Sequence, residues 1–151
     1  MISDVKTKKL DIHPDERGRV MEILRCDEKI FKKFGQVYLT TTYPKVVKAW
    51  HLHKVQTDSV CCIRGMIKLV LYDGRMGSKT LGEINEFFIG EHSPVLVQIP
   101  KQVYHGWKCI SEEEALIINA PTDPYNPEKP DEYRLPYDSE LVPYDWGIKM
   151  G

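Results

Sequence analysis

The densest run of reactive side chains is Trp50-His51-Leu52-His53-Lys54-Val55-Gln56-Thr57-Asp58. Residues two apart on a strand share a face, so His51 and His53 point the same way, and two imidazoles crowded together seldom serve packing alone. Imidazole titrates near about pH 6.5, so either ring can take or give a proton at neutral pH. His13 and His92, beside Pro14 and Ser93, fall in loop-like contexts and are expected at the surface.

The elements that must carry these residues are short and β-biased. Segments 37–42, 46–53, 60–63, 67–72, 95–99 and 115–120 are rich in β-branched and aromatic types, with turn residues between them. In 67–72, Ile67, Leu69 and Leu71 alternate with Lys68, Val70 and Tyr72, and Gly65 marks the turn before them. By the same period-2 rule Trp50 faces away from His51 and belongs to a packed core or an interface. Only residues 27–34, with Ile30, Phe31 and Phe34 at helical spacing, read as a short N-terminal helix. The expected fold is therefore an all-β sandwich or barrel. Six prolines from Pro121 to Pro143 disfavour regular structure at the C-terminal end, yet Tyr125, Tyr133, Tyr137, Tyr144 and Trp146 among them predict a tail that packs back on the body.

The chain has 151 residues, 42% of them hydrophobic, which suits one domain over 1–151 with a single core. Its formal net charge is −1, so no overall basic field holds a nucleic-acid backbone. Apolar runs such as 60–63 and 115–118 stop at four residues, well short of the roughly 20 a bilayer span needs, so no membrane partner is expected. Cys26, Cys61, Cys62 and Cys109 fit no CxxC spacing and read as reduced cysteines of a cytoplasmic protein. The acidic run 112–114 reads as a solvated turn.

His51-x-His53, four residues, Asp58, six residues and Gly65 resembles the first motif of the cupin superfamily, with Asp58 where glutamate is usual. Pro100 through His105 resembles the second motif, with Gln102 replacing a glycine. Cupins are double-stranded β-helix (jelly-roll) barrels, in agreement with the strand pattern above. In metal-binding cupins the corresponding residues here would be His51, His53, Asp58 and His105, a mixed imidazole and carboxylate set that suits a first-row metal; the alternative is that the histidines are hydrogen-bonding residues of a metal-free pocket.

A more particular series runs along nearly the whole chain. It comprises Asp15-Glu16-Arg17-Gly18 with Glu22, then Gln36, Lys48-Ala49-Trp50-His51, Gln56, Gly65, Asp73, Arg75, Ile99-Pro100 through His105-Gly106, Tyr125-Asn126-Pro127-Glu128 and Asp145-Trp146. In that order it resembles the dTDP-4-dehydrorhamnose 3,5-epimerase family, metal-independent isomerases of sugar-nucleotide and polysaccharide biosynthesis. The resemblance implies that no cofactor is used and that the ligand is a nucleotide sugar carrying a 4-keto-6-deoxyhexose. His51 is then the base that removes the proton next to the ketone. Arg17 and Lys48 fall to the pyrophosphate, Gln36 to the nucleotide, and Tyr125 to the sugar–nucleotide pocket. Glu22 and His105 also join the substrate-binding set. A homodimer is the implied assembly.

Departures from the pattern are equally specific. The family's catalytic lysine becomes Asp58, and its catalytic tyrosine becomes Asn119; both positions, with Tyr125, are retained here as catalytic candidates beside His51. Tyr104, Lys68 and His53 are the expected stand-ins. Family members also continue past the Asp-Trp pair into a segment that gives the base an aspartate partner, so His51 is expected to find another carboxylate. These losses keep two other readings open, a metal-dependent cupin enzyme and a non-catalytic sugar-nucleotide binding protein.

Overall fold

The structure, a computed structural model, describes residues 1–149, and no helix of it is long and apolar enough to cross a membrane. Its strands are β1 (Lys6–Lys9), β2 (Ile12–Asp15), β3 (Gly18–Met21), β4 (Tyr38–Thr42), β5 (Val47–Leu52), β6 (Asp58–Arg64), β7 (Met66–Tyr72), β8 (Ile84–Gly90), β9 (Val95–Ile99), β10 (Tyr104–Cys109), β11 (Ala115–Asn119) and β12 (Tyr133–Arg134). One sheet has the order β1-β9-β6-β11-β4 and the other β12-β5-β10-β7-β8, while β2 and β3 form a separate hairpin. Every pairing is antiparallel, as a jelly roll requires.

Alternation along β7 decides what fills the barrel. Ile67, Leu69 and Leu71 turn inward to meet Val60 and Cys62 of β6, Val97 and Ile99 of β9, and Ile117 of β11. Each such side chain contributes roughly 1.5–3 kcal/mol when fully buried. Val70 turns the other way, and there it meets Trp50, Val142 and Trp146. The tail therefore packs back as its aromatics foretell, with Trp50 wholly buried between Tyr144 and Trp146 at centroid distances of 5.9 and 5.0 Å. Tyr125 and Tyr137 remain exposed.

Two glycines are needed by close approach. Gly65 takes φ 70° in the β6–β7 turn, where a Cβ would lie 2.7 Å from Ser111 Oγ. Gly106 faces β5, where a Cβ would overlap Ala49 and sit 2.9 Å from the Lys48 carbonyl. The β5–β10 register shifts at this point, pairing His105 with His51 and Trp107 with Lys48. That bulge sets the two histidines opposite each other.

The expected helix over 27–34 does not form; the described residues contain no helix at all. Only isolated turn bonds occur there, such as Phe31 N–H to the Glu28 carbonyl at 3.0 Å. The Ile30 carbonyl is taken instead by Gln98 Nε2 at 2.7 Å, and Ile23, Leu24 and Ile30 pack against Leu10, Cys61 and Leu96 on the back of the first sheet. Tertiary anchoring thus wins over a helical period too short to overcome its nucleation cost.

Candidate active site

Between the two sheets lies a cavity of about 1110 Å³. That is just above the usual range for small-molecule sites, about 300–1,000 Å³. His51 and His53 enter it from β5 and its exit, His105 from β10, Asp58 from β6 and Asn119 from β11. The same strand parity that buries Trp50 behind β5 aims His51 inward.

His51 finds its carboxylate in a place the sequence reading left open. Glu132 Oε1 lies 3.4 Å from His51 Nδ1. The segment that carries it is tied down by its neighbours: Asp131 accepts the N–H groups of Lys54, Val55 and Gln56 at 2.8, 2.8 and 3.0 Å, and β12 pairs with β5. Arg134 Nη2 donates to the same Glu132 oxygen, Oε1, at 2.6 Å. With its Nδ1 proton directed at Glu132, His51 keeps Nε2 as its basic nitrogen. Burial pulls the His51 pKa below the usual histidine value, and the Glu132 charge opposes that only in part. The ring is therefore neutral at neutral pH and ready to accept a proton.

His53, Asp58 and His105 form a second cluster. Asp58 Oδ2 lies 3.2 Å from His53 Nε2 and 3.5 Å from His105 Nε2, and Gln56 Nε2 donates to Oδ1 at 2.9 Å. The Nδ1 atoms face backbone carbonyls, Asp131 for His53 and Val103 for His105. Burial depresses both imidazoles. For His105 it prevails, leaving a pKa of about 4, whereas the hydrogen bond and charge of Asp58 carry His53 above the ordinary histidine value. Burial opposes the Asp58 charge too, but the two histidines and Asn119 more than offset it and hold the carboxyl below its normal range. His53 thus has both ring nitrogens engaged, one by Asp58 and one by the Asp131 carbonyl. It cannot also donate to a substrate, so it is no substitute for the missing lysine.

One donor atom from each of these three residues lies within 4.8 Å of the others, close enough for an ion. His51 stands outside that group, paired with Glu132. The four-ligand set expected for a metal-dependent cupin is therefore not assembled among the described residues.

Other expected site residues divide into two groups. Gln36, Lys48 and Tyr125 line the cavity. Gln36 Oε1 accepts the Tyr125 N–H at 3.2 Å, and Lys48 Nζ donates to the Thr41 carbonyl at 2.5 Å. Arg17, Glu22, Lys68 and Tyr104 do not reach it. Arg17 sits at the exposed tip of the β2–β3 hairpin against Asp15, at 2.5 Å, and Glu22 pairs with Arg25 at 2.9 Å. Lys68 and Tyr104 lie on the outward parity of β7 and β10; Lys68 Nζ donates to the Gly147 carbonyl at 3.3 Å, and Tyr104 packs in the Trp50 cluster. The expectation that they replace the lost lysine and tyrosine fails on strand parity. Besides Glu132, the residues of the cavity lining that sequence reasoning passed over include Tyr38, Lys129 and Arg134. Alternation along 37–42 would have placed Tyr38 on the same face as Thr40 and Thr42.

Jelly-roll sheets closing on inward histidines define a cupin-type, cavity-bearing enzyme fold. A family model described as dTDP-4-dehydrorhamnose 3,5-epimerase matches residues 1–150, and the chain belongs to that family. It is 43% identical over 150 residues to the spore coat polysaccharide biosynthesis protein SpsL of Bacillus subtilis, covering 99% of each chain. A probable low-salt glycan biosynthesis epimerase of Haloferax volcanii is 41% identical, with 99% of this chain and 97% of that one covered. Among solved structures, a dTDP sugar isomerase from Desulfovibrio desulfuricans G20 superposes with a TM-score of 0.91 at 32% identity, over 96% of this chain and 92% of that one. A 3,5-epimerase from Legionella pneumophila, in complex with dTDP-4-keto-L-rhamnose, gives a TM-score of 0.85 at 25% identity, over 98% of this chain and 81% of that one.

Proposed function

We propose that the chain is a nucleotide-sugar epimerase acting on a dTDP-4-keto-6-deoxyhexose, in which His51 removes the proton next to the ketone. The observation that carries this reading is the neutral His51 held by Glu132 in a cavity large enough for a nucleotide sugar. As the substrate carbon loses its proton, the imidazole becomes an imidazolium 3.4 Å from a carboxylate that stabilises it. Lys48, Lys54, Lys129 and Arg134 line the same cavity and suit the pyrophosphate. Gln36 and Tyr125, joined by a hydrogen bond, suit the nucleotide end. A further part of the proposal is that 1–151 acts as one unit in the cytoplasm, which its four free cysteines favour. A homodimer would cover the outer edge of β4, where Val37, Leu39 and Tyr43 are 59%, 54% and 70% exposed.

The test is solvent exchange. Incubated with dTDP-4-keto-6-deoxyglucose in heavy water, the protein should place deuterium at C3 or C5, and His51→Asn should abolish this with thymidine diphosphate binding intact. Tight binding of the sugar nucleotide with no exchange at high enzyme concentration would instead identify a binding protein. Sedimentation velocity tests the dimer.

A further inference from the structure

We propose that Tyr38 is the proton donor that works opposite His51, delivering a proton to the face of the sugar ring that His51 does not touch; this role rests on the epimerase reading above. Three phenols line the cavity, those of Tyr38, Tyr125 and Tyr133. Tyr133 lies on β12 beside β5, in the same sheet as His51, and its ring carries the Lys54 ammonium at 4.0 Å. Tyr125 belongs to a loop and is 58% exposed, against 40% for Tyr38. Tyr38 alone of the three stands on the sheet opposite His51, on edge strand β4. A pyranose held between the sheets would meet His51 on one face and Tyr38 on the other.

Hydrogen bonding points the Tyr38 proton at the cavity. Tyr38 and Asn119 are direct partners across β4 and β11. Asn119 Oδ1 accepts the Ser59 N–H at 3.1 Å; a backbone N–H can only donate, so the amide orientation is settled and the NH₂ faces the cavity side. Its Nδ2 donates to Tyr38 Oη at 2.9 Å. The phenol oxygen is therefore an acceptor toward Asn119, and its own proton is free for a ligand. Burial and the negative charges of Asp58 and Glu132 keep the phenol protonated, while the Asn119 bond works the other way and stabilises the phenolate that forms on donation. The resemblance places a catalytic tyrosine at position 119. Here Asn119 occupies that position as a positioning residue, and the phenol has moved one strand over.

The step balances with protein groups alone. His51 Nε2 takes the carbon-bound proton, the C–H electron pair moves into the carbonyl to give the enolate, and the enolate carbon then takes the Tyr38 hydroxyl proton on its other face. This leaves an imidazolium and a phenolate, which solvent resets by net transfer of one proton from His51 to Tyr38.

Tyr38→Phe separates the two halves of the reaction. Wild-type protein must first show deuterium exchange and epimerised product; if it shows neither, the epimerase reading itself fails. Given both, Tyr38→Phe should keep exchange at the His51 face and thymidine diphosphate affinity, while epimerised product falls about 10²–10⁴-fold, the usual worth of a general acid. Product formation within about threefold of wild type would overturn the proposal on that same scale. So would equal loss of exchange and product, because the phenol would then serve binding or proton removal. A second measurement does not depend on Tyr38→Phe folding: 3-fluorotyrosine placed at position 38, a more acidic phenol, should move the alkaline limb of kcat for product formation to lower pH. An unmoved limb would equally refute the role.

Discussion

Replacing Glu132 by Gln tests whether the base depends on its carboxylate. Glutamine keeps the length of the side chain and an acceptor for the His51 Nδ1 proton, so the tautomer survives and only the charge is lost. Two unit charges about 4 Å apart interact by about 4 kcal/mol at an effective dielectric of 20. The contact is 3.4 Å, but the two side chains are 21% and 30% exposed and Arg134 shares the carboxylate, so solvent and guanidinium screening reduce the effect. A loss of about 1.5–2.5 kcal/mol of transition-state stabilisation then remains, or about 10- to 70-fold in kcat/KM. The pH profile adds a sign. Burial lowers the His51 pKa and Glu132 raises it, so removing the charge lets burial act with less opposition. The pKa falls further, and the acid limb of kcat/KM moves to lower pH even as the plateau drops. Initial rates of deuterium exchange from about pH 4 to pH 8 bracket that limb. A plateau loss below about threefold, or an acid limb that stays put or moves upward, would refute the His51–Glu132 pairing.

Trp50→Ala should cost about 3–5 kcal/mol in urea unfolding, since the ring is wholly buried between Tyr144 and Trp146; a loss below about 1 kcal/mol would mean the tail does not pin β5. Asp73 is fully buried and accepts bonds from Arg75 Nε at 2.8 Å, Ser78 Oγ at 2.6 Å and Thr80 Oγ1 at 2.7 Å. Burial resists its ionisation, yet these bonds hold its carboxyl well below the usual range. Its stabilisation is thus present above the unfolded carboxylate pKa of about 3.9 and lost as pH falls below it. Asp73→Asn should be about 3–5 kcal/mol less stable at neutral pH, with a flatter acid limb of stability; equal slopes in chemical denaturation across pH would sink this. Dialysis against a chelator should leave turnover within about twofold, because the base is held by Glu132 outside the His53–Asp58–His105 group; activity restored only by added metal would reverse that ordering.

Strand period made much of this molecule legible. The alternation in 67–72 separates the Leu69 face from the Val70 face, and the His51-x-His53 spacing puts both rings in one cavity with Trp50 behind them. Lys68 and Tyr104 were misplaced although the same parity, applied strictly, sends both outward. Glu132 was out of reach for a different reason. It stands 81 positions after His51 in a segment with no strand pattern of its own, and only the Asp131 clamp on residues 54–56 and the two-residue β12 bring it home. Short apolar spacing at 27–34 misled because periodicity cannot show that the Ile30 carbonyl is claimed by Gln98. Local pattern reports which face a residue takes, and long-range pairing reports what it meets there.

The departures at Asp58 and Asn119 are physically one rearrangement. A carboxylate buried at position 58 needs a partner, and His53 supplies it, its own pKa raised by the Asp58 hydrogen bond and charge, while deeper burial pulls that of His105 down to about 4. The Asn119 amide helps hold the Asp58 carboxyl below its normal range, and its Nδ2 donates to the hydroxyl of Tyr38. A lysine at 58 would remove the carboxylate that raises the His53 pKa, and a tyrosine at 119 would lie beside Tyr38 across the β4–β11 pair. The histidine–carboxylate group is therefore better understood as the support that orients Asn119, and through it Tyr38, than as a disabled copy of the family's usual catalytic set.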